Sequence, residues 1–276
     1  MNINQAPKPV IGVIGAGRMG TPIIGHLVRA GFRTHACDLD PARQAVIENH
    51  GARWANGAAD IAAEAGVILI CVGFDAEVRA LFAADGALFA ARPDTIVAIL
   101  STVHPDTVRA LAADASARGV HVVDSTVCRG GAAADEGTLL SFVGGSAFIV
   151  ERLTPVLRAY SSDVVHTGDV GTAQVAKAVN NMILWACLVA DHEGLALARH
   201  YGANIEALRG ALLVSSCTNG PLEKWGTQTM AWAEDDMTIV ADMAAKAGIA
   251  LPQSGLNREI CRALKPKRYQ LDDYGH

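Results

Sequence analysis

The sequence VIGVIGAGRMG, at residues 10–20, decides how the first half of the chain folds. An apolar segment leads into Gly15, Gly17 and Gly20, which have the G-x-G-x-x-G spacing, and a helical pattern follows at residues 21–30. These glycines permit a tight turn, a close approach of the backbone to a pyrophosphate, and close packing of the helix on the strand. The N–H groups at the start of that helix would face phosphates, so the context favours a dinucleotide site over an ordinary strand, turn and helix. The predicted loop residues are Gly15, Ala16, Gly17, Arg18, Met19 and Gly20.

An acidic residue, Asp38, ends the second predicted strand at residues 33–37. A carboxylate at this place would accept hydrogen bonds from an adenosine ribose and would repel a 2′-phosphate. We therefore predict NAD as the cofactor, with NADP disfavoured. Arg43, five residues further on, could weaken that preference.

Apolar strand patterns then alternate with helical patterns along the chain. Strands are predicted at residues 66–73, 95–102, 120–124 and 164–167, and helices at residues 77–88 and 106–118. Repeated β–α units indicate a parallel, doubly wound sheet with right-handed crossovers. Ligands bind such sheets beyond the carboxyl ends of the strands, so we expect Val72, Gly73 and Thr102 to face the cofactor. His104 is interpreted as a loop or capping residue, because nothing beside it completes a catalytic triad.

Small residues dominate the segment at 124–145, which we interpret as a loop between two strands. Its glycines, among them Gly130 and Gly131, leave backbone N–H groups able to face a ligand oxygen, and Arg129 adds a permanently charged fork of donors. Such a loop can bind a carboxylate. The alternative is a flexible surface turn with a solvated arginine.

One long helix is predicted at residues 171–202, where apolar residues recur every three or four positions. About thirty residues at a rise of ~1.5 Å give ~45 Å, enough to join two domains. Lys177 and Asn181 are four residues apart and share a face. Spacing alone does not distinguish a functional lysine here from an ordinary exposed one.

Helical patterns continue at residues 205–214, 232–247 and 253–264, and a charged tail at 265–276, which we expect to be mobile, ends the chain. The predicted fold is α/β: an N-terminal Rossmann-type doubly wound sheet plus an all-α C-terminal domain, joined by the long helix. The predicted domains are 1–168, which binds the dinucleotide, and 169–276, which serves substrate binding and dimerisation.

Bulk composition excludes several classes of function. The 276 residues carry a net charge of −5, which provides no electrostatic footprint for nucleic acid or an anionic membrane. The first residues lack a hydrophobic signal segment, and the six cysteines have no metal-ligand spacing. We expect a cytoplasmic protein without a metal, a nucleic-acid partner or a membrane partner.

Five motifs in order carry a resemblance to a known family: GVIGAGRMG, LSTVHP, DSTVCRGGAAADEGTL, GTAQVAKAVNN and WAEDDM. Over roughly residues 10–264 the chain resembles the β-hydroxyacid dehydrogenase family, which includes 3-hydroxyisobutyrate dehydrogenase and tartronate semialdehyde reductase and has the 6-phosphogluconate dehydrogenase-type fold. The resemblance implies hydride exchange between a nicotinamide cofactor and a small acidic β-hydroxy acid or semialdehyde. It makes Lys177 the general acid and base, with Asn181 beside it. The implied substrate-binding residues are Cys128, Arg129, Gly130, Asn180 and Asp236.

The chain departs from the family pattern at three places. The family's loop usually reads Ser-Gly-Gly where this chain has Cys128, Arg129 and Gly130, so a hydroxyl is missing and a cation has entered. The late Lys-Asp-Leu motif has become Asp235, Asp236 and Met237. The segment at 217–230 looks shorter than in well-known members. These departures concern the identity of the substrate more than the type of reaction.

Two other functions stay open from the sequence. An imine reductase would share the fold and the cofactor but usually lacks a lysine at the position of Lys177. A cofactor-binding protein that has lost catalysis would also be expected to lack that lysine, and Asp235 alone points in that direction. The apolar face of the long helix further predicts a homodimer or homotetramer.

Overall fold

The computed structural model describes residues 8–83, 85–226 and 232–264. The chain divides into two compact units, Met1–Lys177 and Ala178–His276. The predicted mobile tail at 265–276 lies outside the described residues.

Within the described residues, every strand belongs to the first unit. The strands are β1 (Ile11–Ile14), β2 (Thr34–Cys37), β3 (Arg53–Trp54), β4 (Val67–Ile70), β5 (Ile96–Ile99), β6 (His121–Asp124), β7 (Val127–Cys128), β8 (Leu139–Gly144) and β9 (Ser161–Gly168). They form one sheet in the order β3-β2-β1-β4-β5-β6-β8-β7, with β9 paired to β8. The pairs from β3 to β6 are parallel, whereas β8 is antiparallel to β6 and β7 and parallel to β9.

Helices cover both faces of this sheet. They are α1 (Gly20–Arg29), α2 (Arg43–Asn49), α3 (Ala58–Glu64), α4 (Asp75–Phe82), α5 (Pro105–Ser116), α6 (Gly130–Glu136) and α7 (Ala147–Leu157), with a short 3₁₀ turn at Ala87–Ala90. Successive residues of a strand enter different cores: Val67 and Leu69 pack in one hydrophobic cluster, and Ile68 and Ile70 in another. The prediction of a doubly wound α/β sheet is therefore confirmed.

The topology fixes where a ligand can bind. Strand β1 lies between β2 and β4, so the chain reverses its direction of winding at this strand. A crevice forms at such a switch point beyond the carboxyl ends of the strands. Gly15 follows β1 and Cys71 follows β4, which places the glycine motif at this crevice.

The segment at 124–145 differs from the loop predicted there. It contains β7, the seven-residue helix α6 and all of β8, so the far part of the sheet is mixed and not wholly parallel. The sequence GGAAADE of α6 has no apolar stripe, but alanine has the highest helix propensity, which explains a short helix there. Sequence patterns also missed α2, β3, α3 and α7.

Helix α8 (Thr172–His200) begins in the first unit and runs on into the second. The described remainder of the second unit is helical: α9 (Ile205–Leu212), α10 (Gly220–Glu223), α11 (Ala233–Ala247) and α12 (Pro252–Leu264). Its small core combines Trp185, Leu188, Ala233, Met237 and Cys261. The prediction of a helical C-terminal part joined by a long helix is confirmed.

By length and composition alone, α8 is also apolar enough to cross a membrane. The helix carries buried residues along its length, including Ala173, Trp185 and Leu195. It also carries buried polar residues such as Asn181 and His192. This pattern is typical of a core helix in a folded protein.

Candidate active site

The glycine motif forms a turn whose tightness requires glycine at two positions. Gly15 has a φ of +99°, and a Cβ on it would lie 2.6 Å from the carbonyl oxygen of Cys71. A Cβ on Gly20 would lie 2.0 Å from the carbonyl oxygen of Gly15. Over Gly17, by contrast, nothing lies within 4 Å of a Cβ position. The loop is therefore tightly packed at Gly15 and Gly20 and open beside Gly17. The open side leaves room for the close approach of a pyrophosphate.

Asp38 lies against this loop. Its Oδ2 accepts a hydrogen bond from the backbone N–H of Ala16 at 2.7 Å, and its Oδ1 accepts one from Asp40 at 2.9 Å. Each carboxylate oxygen has a second lone pair, so Asp38 can still accept hydrogen bonds from a ribose. Arg43 lies 3.9 Å from the carboxylate of Asp40.

The side chain of Arg18 leaves the loop and joins it to helix α6. Its two terminal nitrogens each donate a 2.7 Å hydrogen bond to Asp135. The guanidinium lies over Gly131, where a Cβ would come within 2.4 Å of it. The pairing raises the pKa of Arg18 and lowers that of Asp135, first through the side-chain hydrogen bond. The glycine motif is therefore linked to the segment at 124–145, which is predicted to bind the substrate and is called the substrate segment below. The sequence did not reveal this contact.

The other predicted cofactor residues follow the neighbouring strands. Met19 packs partly buried against the core. The carbonyl oxygen of Val72 accepts a hydrogen bond from Ser101 at 2.8 Å, and the N–H of Gly73 donates one to Glu77 at 2.9 Å. Thr102, which is partly buried, follows β5. Val72, Gly73 and Thr102 lie just beyond the ends of β4 and β5, as the fold requires, whereas Met19 precedes α1.

His104 begins helix α5 and serves as its N-cap. Its Nδ1 accepts a 3.1 Å hydrogen bond from the backbone N–H of Asp106. The interpretation of His104 as a capping residue is confirmed.

A buried carboxylate holds the start of α8, and sequence analysis missed it. Asp124, which is fully buried at the end of β6, accepts hydrogen bonds from the N–H groups of Gly171 at 2.8 Å and Gln174 at 2.9 Å. Burial raises the pKa of Asp124, and these backbone hydrogen bonds oppose the rise. The side chain of Gln174 bonds the backbone of Val103 and Ser101. The first turn of α8 is thereby fixed to the ends of β5 and β6.

Lys177 projects from this fixed turn towards the start of the substrate segment. Its Nζ donates a 2.7 Å hydrogen bond to the carbonyl oxygen of Val127 and lies 3.9 Å from Cys128 Sγ. An ammonium has three donors, so a donor remains for a reacting oxygen. Lys177 and Cys128 are thus brought together, and this contact gives the lysine a defined position beside the substrate segment.

The direction of the Arg129 side chain differs from the prediction that its guanidinium faces the substrate. Its Nη1 lies 2.7 Å from Asp163 Oδ2, 2.8 Å from Ser162 Oγ and 3.0 Å from the carbonyl oxygen of Thr138. The side chain therefore points to the edge strand β9, because a carboxylate there compensates its charge. Gly130, which follows, has a φ of +79° and begins α6.

The remaining predicted residues belong to the second unit. Asn180 donates a 3.0 Å hydrogen bond to the side-chain oxygen of Asn181, which is buried. Asp236, also buried, accepts a 3.0 Å hydrogen bond from the indole nitrogen of Trp185. Across residues 8–83, 85–226 and 232–264, no three His, Cys, Asp or Glu side chains are grouped so that they could hold a metal ion.

Both parts of the chain match families of known proteins. Residues 10–168 match the NAD-binding domain of 6-phosphogluconate dehydrogenase, and residues 171–275 match the NAD-binding domain of NADP-dependent 3-hydroxyisobutyrate dehydrogenase. A probable mitochondrial 3-hydroxyisobutyrate dehydrogenase of Dictyostelium discoideum is 32% identical over 215 residues, which cover 78% of this chain and 67% of the relative.

Solved structures extend the likeness to the whole chain. The 3-hydroxyisobutyrate dehydrogenase of Mycobacterium tuberculosis, determined with L-serine, has a TM-score of 0.87 and 25% identity, and the match covers 97% of this chain and 98% of that one. An imine reductase from Myxococcus stipitatus has a TM-score of 0.69 and 18% identity, with 93% and 94% covered, so its likeness concerns the fold alone. The matched domains and relatives show that this chain belongs to the β-hydroxyacid dehydrogenase family, whose members are NAD(P)-dependent oxidoreductases acting on CH–OH groups.

Proposed function

We propose that this protein oxidises a small β-hydroxy acid, or reduces the corresponding semialdehyde, with NAD as the preferred cofactor and Lys177 as the general acid and base. The observation that carries the proposal is the position of the Lys177 ammonium, 2.7 Å from the carbonyl oxygen of Val127 at the start of the substrate segment. A proton-transferring group must lie within hydrogen-bond reach of its substrate. The anchoring of α8 by Asp124 supports such a fixed position.

In this proposal Lys177 transfers the proton of the substrate's hydroxyl group. During oxidation Lys177 acts as the neutral amine, whose lone pair accepts the proton of the substrate hydroxyl, and during reduction its ammonium donates a proton to the forming alkoxide. The nicotinamide ring, when bound, takes or gives the hydride. The glycine loop and Asp38 would hold the cofactor, and Asn181 would bind the substrate or orient Lys177.

The substrate's carboxylate is proposed to bind the backbone N–H groups of Gly130 and Gly131, with Cys128 beside the reacting carbon. Asn180 and Asp236 are proposed to complete substrate recognition from the helical part of the chain. In this account residues 1–168 bind the dinucleotide and residues 169–276 serve the substrate and dimerisation. We place the enzyme in the cytoplasm.

A panel of substrates tests the proposal. We expect 3-hydroxyisobutyrate or L-serine, the compounds in the names of the relatives, to reduce NAD, because both combine a primary alcohol with a carboxylate. Hydrogen bonds to a charged group contribute ~1.5–3 kcal/mol. The kcat/KM of an acid should therefore exceed that of its amide by roughly 10- to 150-fold. Equal values for the acid and the amide would contradict the anion site.

The same panel includes the two competing functions. Faster reduction of a cyclic imine than of any semialdehyde would make the protein an imine reductase, and cofactor binding without turnover of any compound would make it non-catalytic. Lys177 argues against both, since both are expected to lack it.

We further propose a homodimer or a homotetramer. Large apolar side chains are exposed in the second unit, including Leu197, Tyr201, Val214, Ile249 and Leu256, and α9 has no buried residue. Exposed apolar side chains that form one contiguous patch are typical of subunit interfaces, and we propose that these residues form such a patch. Light scattering after gel filtration should give two or four times the mass of one chain at micromolar concentration, and the mass of a single chain would contradict the proposal.

A further inference from the structure

We infer that Arg129 and Asp163 form a positioning pair that holds the substrate segment in a strained conformation, and that Arg129 acts through this pair and not as a ligand of the substrate. The inference rests on the proposed function for its readout. It concerns the residue at which this chain departs most from the family's pattern.

The backbone of Arg129 is strained. Its φ of +84° and ψ of −2° lie in the left-handed region, which disfavours residues with a Cβ. Among the described residues other than glycine, it shares a positive φ with Asp94 alone. The family pattern has a glycine here, a residue that adopts this conformation freely. An arginine can remain there only if other contacts favour it.

The side chain of Arg129 supplies such contacts through an irregular part of the edge strand. Cys128 pairs with Leu140 on β8, and Leu140 pairs with Asp163 on β9, so Arg129 needs to cross only one strand to reach Asp163. The pairing of β8 with β9 shifts at this place and leaves Ser162 as an extra residue. A bulge of this kind re-aims side chains.

Ser162 and Asp163 act as one acceptor group. Both lie within 2.8 Å of the Arg129 guanidinium, and Ser162 Oγ donates a 2.8 Å hydrogen bond to Asp163. The hydrogen bond from Ser162 and then the one from Arg129 lower the pKa of Asp163. The carboxylate is therefore ionised at neutral pH and can hold the guanidinium.

The backbone conformation of Arg129 sets the positions of the residues that precede and follow it in the chain. The residues before it, Val127 and Cys128, supply the two groups that contact Lys177. The residues after it, Gly130 and Gly131, begin α6, whose other end is tied to the glycine motif through Asp135 and Arg18. Loss of the Asp163 contact should release the strain, move the Val127 carbonyl and misplace Lys177 without changing the charge of the site.

Substitutions at the two residues separate this role from substrate binding. Arg129→Ala loses the pair but keeps the Cβ that disfavours the left-handed conformation, whereas Arg129→Gly loses the pair and can adopt that conformation without strain. A left-handed residue with a Cβ is disfavoured by roughly 5- to 30-fold relative to glycine, so kcat of Arg129→Ala should fall below that of Arg129→Gly by this factor. A guanidinium that binds the substrate would make the two variants equally poor, and equality would overturn the inference.

Asp163→Asn provides the second half of the test. We expect it to lower kcat for the acid and for its amide alike in the wild-type background, and to cause no further loss in the Arg129→Gly background. The matched control is Asp114→Asn, which removes an exposed carboxylate of α5. If Asp163→Asn changes the melting temperature but leaves kcat unchanged, the pair is merely structural and the inference is wrong.

Amide hydrogen exchange tests the Arg129–Asp163 pair independently of the proposed function, because the measurement needs no substrate. Asp163→Asn should speed amide exchange in residues 127–138 when Arg129 is present and not when it is replaced by glycine. If the wild-type enzyme turns over no acid, the proposed function fails while this exchange pattern still supports the pair. Unchanged exchange in Asp163→Asn would overturn the pair, whatever the substrate.

Discussion

Replacing Lys177 with methionine should lower kcat by ~10²- to 10⁴-fold, the range that general acid–base groups contribute. The amine is the group that the proposal assigns to proton transfer, and its Nζ has a defined place beside Val127 and Cys128. Methionine keeps much of the length and apolar character of the side chain while removing the basic nitrogen and its exchangeable protons. The initial rate of NAD reduction by the best acid measures the effect.

Cofactor binding in Lys177→Met should stay within a few-fold of the wild type, because the glycine loop and Asp38 lie elsewhere in the unit. Protein fluorescence quenching by NADH measures it. Lys246→Met is the matched control, since Lys246 is an exposed lysine of α11 paired with Asp242. A Lys177→Met variant that keeps more than a tenth of the wild-type rate would remove Lys177 from the mechanism.

The second large effect concerns Asp38 and the choice of cofactor. A 2′-phosphate a few ångströms from this carboxylate would meet like charge at a cost of ~1 to 4 kcal/mol at intermediate effective dielectric. We therefore expect kcat/KM for NAD to exceed that for NADP by roughly 5- to 700-fold. Asp38→Asn should lose most of this discrimination, because an amide does not repel phosphate.

The control for this experiment is Asp40→Asn. It lies two residues away and donates its backbone N–H to Asp38, and its carboxylate lies near Arg43. If Asp40→Asn shifts the ratio as much as Asp38→Asn does, the effect comes from the general charge of the loop. Comparable kcat/KM values for NAD and NADP in the wild type would show that Asp38 does not approach the ribose.

Sequence reasoning predicted the parts of this protein that local chemistry determines. The glycine motif, the continuous apolar strands and the long α8 each have a pattern within a few residues, and the structure has all three. The short helix α6 was missed because its alanines give no apolar periodicity. Strand β7 is only two residues long, and β9 begins with polar residues.

The motifs supply the identities of the candidate site residues but not their contacts. Lys177 and the glycine loop follow from motifs, but the partners of Arg18, Arg129 and Lys177 come from other elements. Asp163 is 34 residues beyond Arg129 and becomes its neighbour only through the pairing of β7, β8 and β9. The charge of Arg129 suggested a substrate anion, whereas the fold supplies a carboxylate of its own. Asp124 was missed for the same reason, since its partners Gly171 and Gln174 lie at the start of α8, far along the chain.

Transfer of the substrate's hydrogen tests the central claim most directly. The wild-type enzyme would be incubated with NAD and a β-hydroxy acid, either 3-hydroxyisobutyrate or L-serine, that carries deuterium at its carbinol carbon, and mass spectrometry would then be applied to the nicotinamide product. The account predicts reduced cofactor that carries one deuterium from the substrate, with Lys177→Met slowing its formation. No labelled cofactor from either acid, together with reduction of a cyclic imine by NADH or NADPH under the same conditions, would contradict it.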